Sequence, residues 1–456
     1  MKALGKLGLL SLLLLLLLSG FFTINKEENP RAVLAGIVHD LQENEWISSV
    51  FAEDKLDVLS EKSARGEAHR QAQQTLDVWS KAVGSQNPQQ MNNIMESNGQ
   101  EGMARRLVMA PISDVQVKLK GAGQLIQNGA ERSLNDLKTE VKYRYRDGKK
   151  DEWYKVERSF DVRQTKQGTW KITNYTQIGS PALFEMGETK TKKTENFLFL
   201  YHDKNEDDMP VIMEETEQAY EEMGKRLNLK GNPPYPVLVY PEEHLWQGGH
   251  TVATASGQYF LNAAGYKVTN QLISLNFEAL QGSSQDGSVY TTVKHEIVHL
   301  YQFPQLPPYV PVWLMEGMAM YYSNDDMSYV FDGDFGQRRL REIDLSRLTA
   351  SERLGENGFG VSGRKQQQEY AFSHDTVRYI VERYGEDTLQ KLVASYSNTP
   401  WFAIKDDIPS EGEHATYKWK KVTKRLTDNY LKKHLGIDEH ELEERVKQWI
   451  ADKNTN

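Results

Sequence analysis

The chain has 456 residues, enough for two or three domains, with apolar (39%) and charged (26%) fractions ordinary for a globular protein. Its net charge of −9, without a basic run, argues against nucleic acid as a partner. It contains no cysteine, which excludes disulfides, thiolate catalysis, thiolate-ligated zinc and a lipid-modified cysteine anchor.

Residues 1–28 read as a targeting segment. Lys2 and Lys6 precede an almost wholly apolar run from Leu7 to Ile24, closed by Lys26-Glu27-Glu28. A cleaved signal peptide wants small residues before the cut, and only Ser19-Gly20 offers them. An uncleaved anchor needs about 18–20 apolar residues to span the hydrocarbon, and this run reaches that length. The reading favoured is an N-terminal membrane anchor, with a signal peptide as the alternative. Lysines before the run put the N-terminus inside and the remainder outside. The expected location is therefore extracytoplasmic, either membrane-anchored or secreted.

Residues 30–183 read as an α+β domain. Val33, Ile37 and Leu41 recur at helical spacing, as do Leu76, Trp79 and Val83, and Asn87-Pro88 marks a turn. From Val115 the period changes to two. Val141, Tyr143 and Tyr145 alternate with charged residues, Tyr154, Val156, Arg158, Phe160 and Val162 share one parity, and Trp170 and Ile172 follow. Asp147-Gly148 and Gln167-Gly168 fall between these strands as hairpin turns. Helices followed by a curved antiparallel meander suggest a cone, similar in outline to the nuclear-transport-factor-like fold. Such a cone can bind a small ligand, but the reading favoured is a spacer or peptide-binding module.

Pro181 and the charged run Glu185–Glu195 read as a boundary, and residues 190–456 as a second domain. Phe197–Tyr201, Val237–Tyr240, Gln258–Leu261 and Leu272–Phe277 are expected strands, with an amphipathic helix over 210–228. Then comes His295-Glu296-Ile297-Val298-His299, the pattern H-E-x-x-H. Ser288 is a fair N-cap, and Val293, Ile297 and Leu300 supply a core-facing stripe, so the motif is expected on a helix. Residues four apart share a helix face, so His295 and His299 would aim two imidazoles at one spot. A catalytic zinc takes three protein ligands and keeps one position open. Glu296 is too far round the helix to be a ligand but can take a proton from water at the metal. Pro304, Pro307, Pro308 and Pro311 force a turn, and a second helix over Val312–Ala319 carries Glu316 as its only charge. A lone carboxylate on a buried face is costly unless paired or metal-bound, which makes Glu316 the expected third ligand.

The paired stretches HEIVHLYQ and WLMEGMAMYY, with the downstream YAFSHDTVRYIVERYGEDTLQKLV, resemble the gluzincin metallopeptidases, in the peptidase MA-like branch related to aminopeptidase N and thermolysin. The resemblance implies one zinc ion on His295, His299 and Glu316, with Glu296 as general base. It also implies a hydroxyl or imidazole donor for the oxyanion downstream of the glutamate ligand, where Tyr370 and His374 stand at i and i+4. An edge strand of the sheet, Gly257–Asn262 or Ser274–Phe277, would pair with substrate backbone. There are departures. The His299–Glu316 interval is slightly shorter than in aminopeptidase N, segment 255–262 lacks that enzyme's Gly-x-Met-Glu-Asn signature, and Met320 stands where thermolysin has an acidic residue orienting the ligands.

Asp325, Asp326, Asp332 and Asp334 lack the spacing of a calcium loop, so 323–368 is expected as a solvated polar stretch. Helices over Tyr370–Tyr384, capped by Gly385, over Thr388–Tyr396 and near 412–434 and 438–453 make the C-terminal part mostly helical. The expected function is an extracytoplasmic zinc metallopeptidase acting on peptides or proteins. A catalytically silent gluzincin-fold binding or scaffold protein at the cell surface is the alternative, and zinc hydrolysis of a non-peptide bond a third.

Overall fold

The structure, a computed structural model, describes residues 53–96, 106–128, 131–179, 181–227, 231–241, 253–262, 265–278, 288–349, 363–400, 404 and 415–453. The expected anchor or signal segment at 1–28 and the helical repeat at Val33, Ile37 and Leu41 lie outside them. No helix among the described residues is long and apolar enough to cross a membrane. The chain is α+β and divides into two units. The first takes residues up to Val108, Asp114–Lys142 and Lys155–Gly179; the second takes Met109–Ser113, Tyr143–Tyr154 and everything from Ser180.

In the first unit α1 (Glu53–Gly84) is followed by α2 (Pro88–Ile94). Strands β1 (Ile112–Leu119), β3 (Glu131–Tyr145), β4 (Tyr154–Gln164) and β5 (Trp170–Ile178) lie side by side in chain order, with β2 (Gln124–Asn128) paired to β3. The helical stripe of Leu76, Trp79 and Val83 is buried. Trp79 meets Phe160 edge-on at 5.2 Å and stacks on Tyr175 at 6.0 Å. Asn87-Pro88, read from sequence as a turn, is a helix start: the Asn87 side chain accepts from the Gln90 N–H and Pro88 opens α2. Gly168 takes the left-handed φ of +84° that the β4–β5 turn needs.

The second unit contains α3 (Leu183–Met186) and a mixed sheet in the order β6 (Thr189–Lys193), β7 (Phe197–His202), β8 (Tyr235–Tyr240), β10 (Gly265–Asn276), β9 (Ala253–Asn262). The charged stretch read as a boundary is in part this edge strand. Lysines suit a strand with one unpaired side. β7, β8 and β10 run parallel, and β6 and β9 close the sheet antiparallel. β7 and β8 are buried along nearly their whole length, as parallel strands covered on both faces must be, so their sequences are apolar runs. The crossover helix α4 (Met209–Leu227) turns Met209, Ile212, Ala219, Tyr220 and Met223 to the core.

Helix α5 (Ser288–Gln302) lies against α4 and buries Val293, Ile297, Val298, Leu300 and Tyr301. Tyr301 stacks on Tyr220 at 5.3 Å and donates to the Tyr220 carbonyl at 3.2 Å. Glu222 of α4 accepts from Tyr290 and, at 2.9 Å, from the buried Lys294. From the sheet, Gln271 donates to the Leu300 carbonyl at 2.8 Å, one of the orphan acceptors at the helix end.

The proline turn leads to α6 (Val312–Ser323), ended by Asn324 in the left-handed region. The segment after it is more regular than its polarity implies. A 3₁₀ turn at Ser328–Phe331 precedes α7 (Gly333–Glu342) and α8 (Leu345–Thr349), anchored by Phe331, Leu340, Leu345 and Leu348. Then follow α9 (Gly363–Tyr384), α10 (Glu386–Ser397), α11 (Ala415–Leu435) and α12 (Glu439–Lys453). Helix α6 packs on α9 at Gly317, where a methyl group would stand 2.3 Å from the Ser373 carbonyl oxygen and 2.7 Å from Val377 Cγ2.

Two stability predictions follow from this packing. Gly317→Ala gains helix propensity of about 1 kcal/mol, but the obstacle is backbone and cannot swing aside; overpacking costs about 1–3 kcal/mol. The variant should melt a few degrees lower, and an unchanged melting temperature would show that α6 and α9 separate freely. The second concerns Glu222→Gln, which leaves the Lys294 ammonium short of its carboxylate. Because Glu222 is itself 42% exposed, the cost should be about 1–2 kcal/mol rather than that of a dry pair. Bonds from Tyr290 and Lys294 hold the Glu222 carboxyl below its ordinary 4.5, against burial. The stabilisation is therefore present above pH 4.5 and is lost as pH falls through the lower folded value. Denaturation curves of the two proteins should differ at pH 7 and converge in acid.

Candidate metal centre

One turn of α5 separates His295 from His299, and their rings stand 5.0 Å apart at 73°. Their Nε2 atoms approach to 3.2 Å. Across the proline turn, α6 brings Glu316 Oε2 to 3.2 Å from His295 Nε2 and 3.3 Å from His299 Nε2. Among the described residues this is the one group of three or more potential metal-binding side chains gathered so closely.

The triangle can be tested against the geometry of a metal. Zinc binds imidazole nitrogen at about 2.0–2.1 Å and carboxylate oxygen at about 2.0–2.2 Å, and the corners of a tetrahedron with such arms stand about 3.3 Å apart. The three edges seen here have that length. The donor set is also right, two imidazoles and one carboxylate with the fourth direction left to water or substrate. The residues present thus fit a single zinc ion.

The electrostatics agree. Burial would raise the Glu316 carboxyl, but the charges and hydrogen bonds of His299 and His295 hold it well below the usual carboxylate range. Burial would lower His299, but Glu316, then Glu296 and Gln302, push it up to about 9. A cation among the three atoms would take the place of that proton.

Glu296, buried beside His295, does not belong to the triangle, yet its charge acts on both His299 and Tyr370. Tyr370 comes from α9, its ring centre 6.3 Å from that of His295. Burial, with the charges of Glu316 and Glu296, raises its hydroxyl well above the ordinary tyrosine value, so it is a donor at any physiological pH. His374, one turn further along α9, is placed differently: its Nδ1 lies 3.3 Å from Asp375 and 4.0 Å from Asp326. Met320 is fully buried and contributes no polar group.

One residue of the site escapes a reading of the sequence. Gln302, on the last turn of α5, accepts from His299 Nδ1 at 2.8 Å and donates to the Met315 carbonyl at 3.1 Å. Its signal was its place three residues after His299, on a neighbouring position of the same helix face. Phe303 stacks on the His299 ring at 6.0 Å. Of the two strands considered for substrate pairing, β9 is the sheet edge and lies against α5. Ser274, Leu275 and Asn276 are interior, bonded to β8 on one side, with Ser274 and Leu275 also paired to β9 on the other.

No family model and no curated protein matches the chain.

Glu316→Ala removes one of the three candidate ligands and the only negative charge among them. Purified variant protein should carry far less than stoichiometric zinc by elemental analysis; a full complement would show that the third ligand lies elsewhere.

Proposed function

We propose that the chain is an extracytoplasmic zinc metallopeptidase of the gluzincin kind, hydrolysing peptide bonds in peptides or proteins. The observation that carries this reading is the triangle of His295, His299 and Glu316, whose edges of 3.2–3.3 Å match one face of a zinc tetrahedron. In this reading the second unit is the peptidase domain, and the first is a cone-like spacer or peptide-binding module. Residues 1–28 carry the chain to or across the membrane.

His295, His299 and Glu316 would hold the ion, which when bound supplies Lewis acidity to water and to a carbonyl oxygen. Glu296 takes the proton from the attacking water and passes it to the leaving amine. Its burial beside the ligands, rather than among them, supports that role. Tyr370 donates a hydrogen bond to the oxygen that gains charge as the carbonyl becomes tetrahedral. Its raised hydroxyl and its nearness to His295 support it over His374. β9, the edge of the sheet among the described strands, offers a line along which an extended peptide backbone can bond.

Glu296→Gln tests the chemistry. The amide is nearly isosteric and is not a ligand, so zinc content and fold should be unchanged. Positioned proton transfer contributes about 10²–10⁴-fold, so turnover should fall by at least 10²-fold. Cleavage of an unlabelled peptide mixture, followed by mass spectrometry with and without chelator, reads the effect. Equal rates for the two proteins would remove the mechanism. Zinc in both with cleavage by neither would favour a binding or scaffold protein.

A further inference from the structure

We infer that Gln302 is a positioning residue that fixes the tautomer of His299 and couples that ligand to Glu316. The inference rests on the proposed zinc site. The Met315 oxygen can only accept, so the Gln302 group 3.1 Å away must be the amide NH₂. The Gln302 oxygen then faces His299 Nδ1 at 2.8 Å. An amide oxygen can only accept, so Nδ1 carries the proton. In the neutral ring this leaves Nε2 bare, and Nε2 is the atom that faces His295 and Glu316. The reverse orientation of the amide would set oxygen against oxygen at Met315.

The residue is well placed to enforce this. Gln302 is 4% exposed, so water does not compete for its two bonds. Met315 precedes Glu316 on α6, while His299 and Gln302 share α5. One side chain therefore spans the proline turn and sets the second ligand and the third in one frame. It supplies the orienting contact that Met320 cannot. Because the acceptor is neutral, it holds the ring without adding a second anion behind the metal.

The test uses the full chain loaded with zinc and selectively ¹⁵N-labelled at histidine. In the wild type, His299 should show a protonated Nδ1 in slow exchange with water and metal-shifted Nε2. Gln302→Leu removes both bonds at similar volume; zinc affinity, measured by competition with a chromophoric chelator, should fall about 10–100-fold and the slow Nδ1 proton should vanish. Gln302→Glu keeps the acceptor and loses the donor, so it should retain the Nδ1 proton and bind zinc more tightly than the leucine variant. A wild-type His299 protonated at Nε2 would overturn the inference without need of any variant, and so would wild-type affinity in a folded Gln302→Leu. A wild-type chain that takes up no zinc would overturn the proposed function and this inference with it, a result separable from the other two.

Discussion

Three lone-pair-bearing atoms meet in the second unit, and they cannot all be satisfied by protons. Nε2 of His295, Nε2 of His299 and Oε2 of Glu316 lie 3.2–3.3 Å from one another. A proton on one imidazole serves one edge of that triangle well and leaves another with lone pair facing lone pair. Protons on both Nε2 atoms set two N–H donors nose to nose across the His295–His299 edge. A dication among the three serves every edge at once. Bringing a carboxylate into a mostly dry site costs several kcal/mol unless such a charge balances it. The held-down Glu316 and the lifted His299 are the same demand expressed as proton affinities.

That demand is met only if the three atoms cannot drift apart, and the surrounding fold is arranged to prevent it. Each contributing side chain sits on a helix whose other face is built into the core. α5 is tied to α4 through Tyr301 and Glu222 and to the sheet through Gln271. α6 is held from behind by Trp313, which donates to Thr349 at 2.8 Å, and Thr349 in turn donates to the buried Glu439 of α12. The absence of a side chain at Gly317 brings α9, and with it Tyr370, close to α6.

Much of this was legible in the sequence because much of it is local. His295 and His299 are related by one helical turn, a distance set by backbone geometry alone. Val293, Ile297 and Leu300 announced the buried side of the same helix, and the apolar runs of β7 and β8 announced strands, though not that they run parallel. Glu316 could be found because a solitary charge in an apolar helix is expensive. What was missed depends on tertiary partners. Gln302 is an ordinary polar residue until Met315 comes opposite it. The lysine-rich Thr189–Lys193 reads as a linker until β7 supplies its hydrogen bonds. Helices α7 and α8 each hold only one or two apolar anchors, too few for a period to show, and are fixed by the core they land on. That β9 rather than β10 lies at the edge is a matter of strand order, which composition does not encode.

The same distinction bears on the two donors that one helix could offer to an oxyanion in the proposed hydrolysis. Tyr370 and His374 are four residues apart, neighbours on one face by the rule that made the ligand pair legible. Yet four residues advance about 6 Å along the axis, twice the reach of a hydrogen bond. His295 and His299 overcome that spacing because their long rings converge on a point between them. α9 has no such convergence: the tyrosine ring lies against His295, while the imidazole of His374 is turned to Asp375 and Asp326. In the proposed hydrolysis Tyr370 is therefore the better placed of the two, and its proton is held by burial and two neighbouring carboxylates. A phenol so held gives up no proton in the ground state. On the proposed reading, it could still strengthen a hydrogen bond as charge develops on a carbonyl oxygen, which is when the proposed hydrolysis would need it.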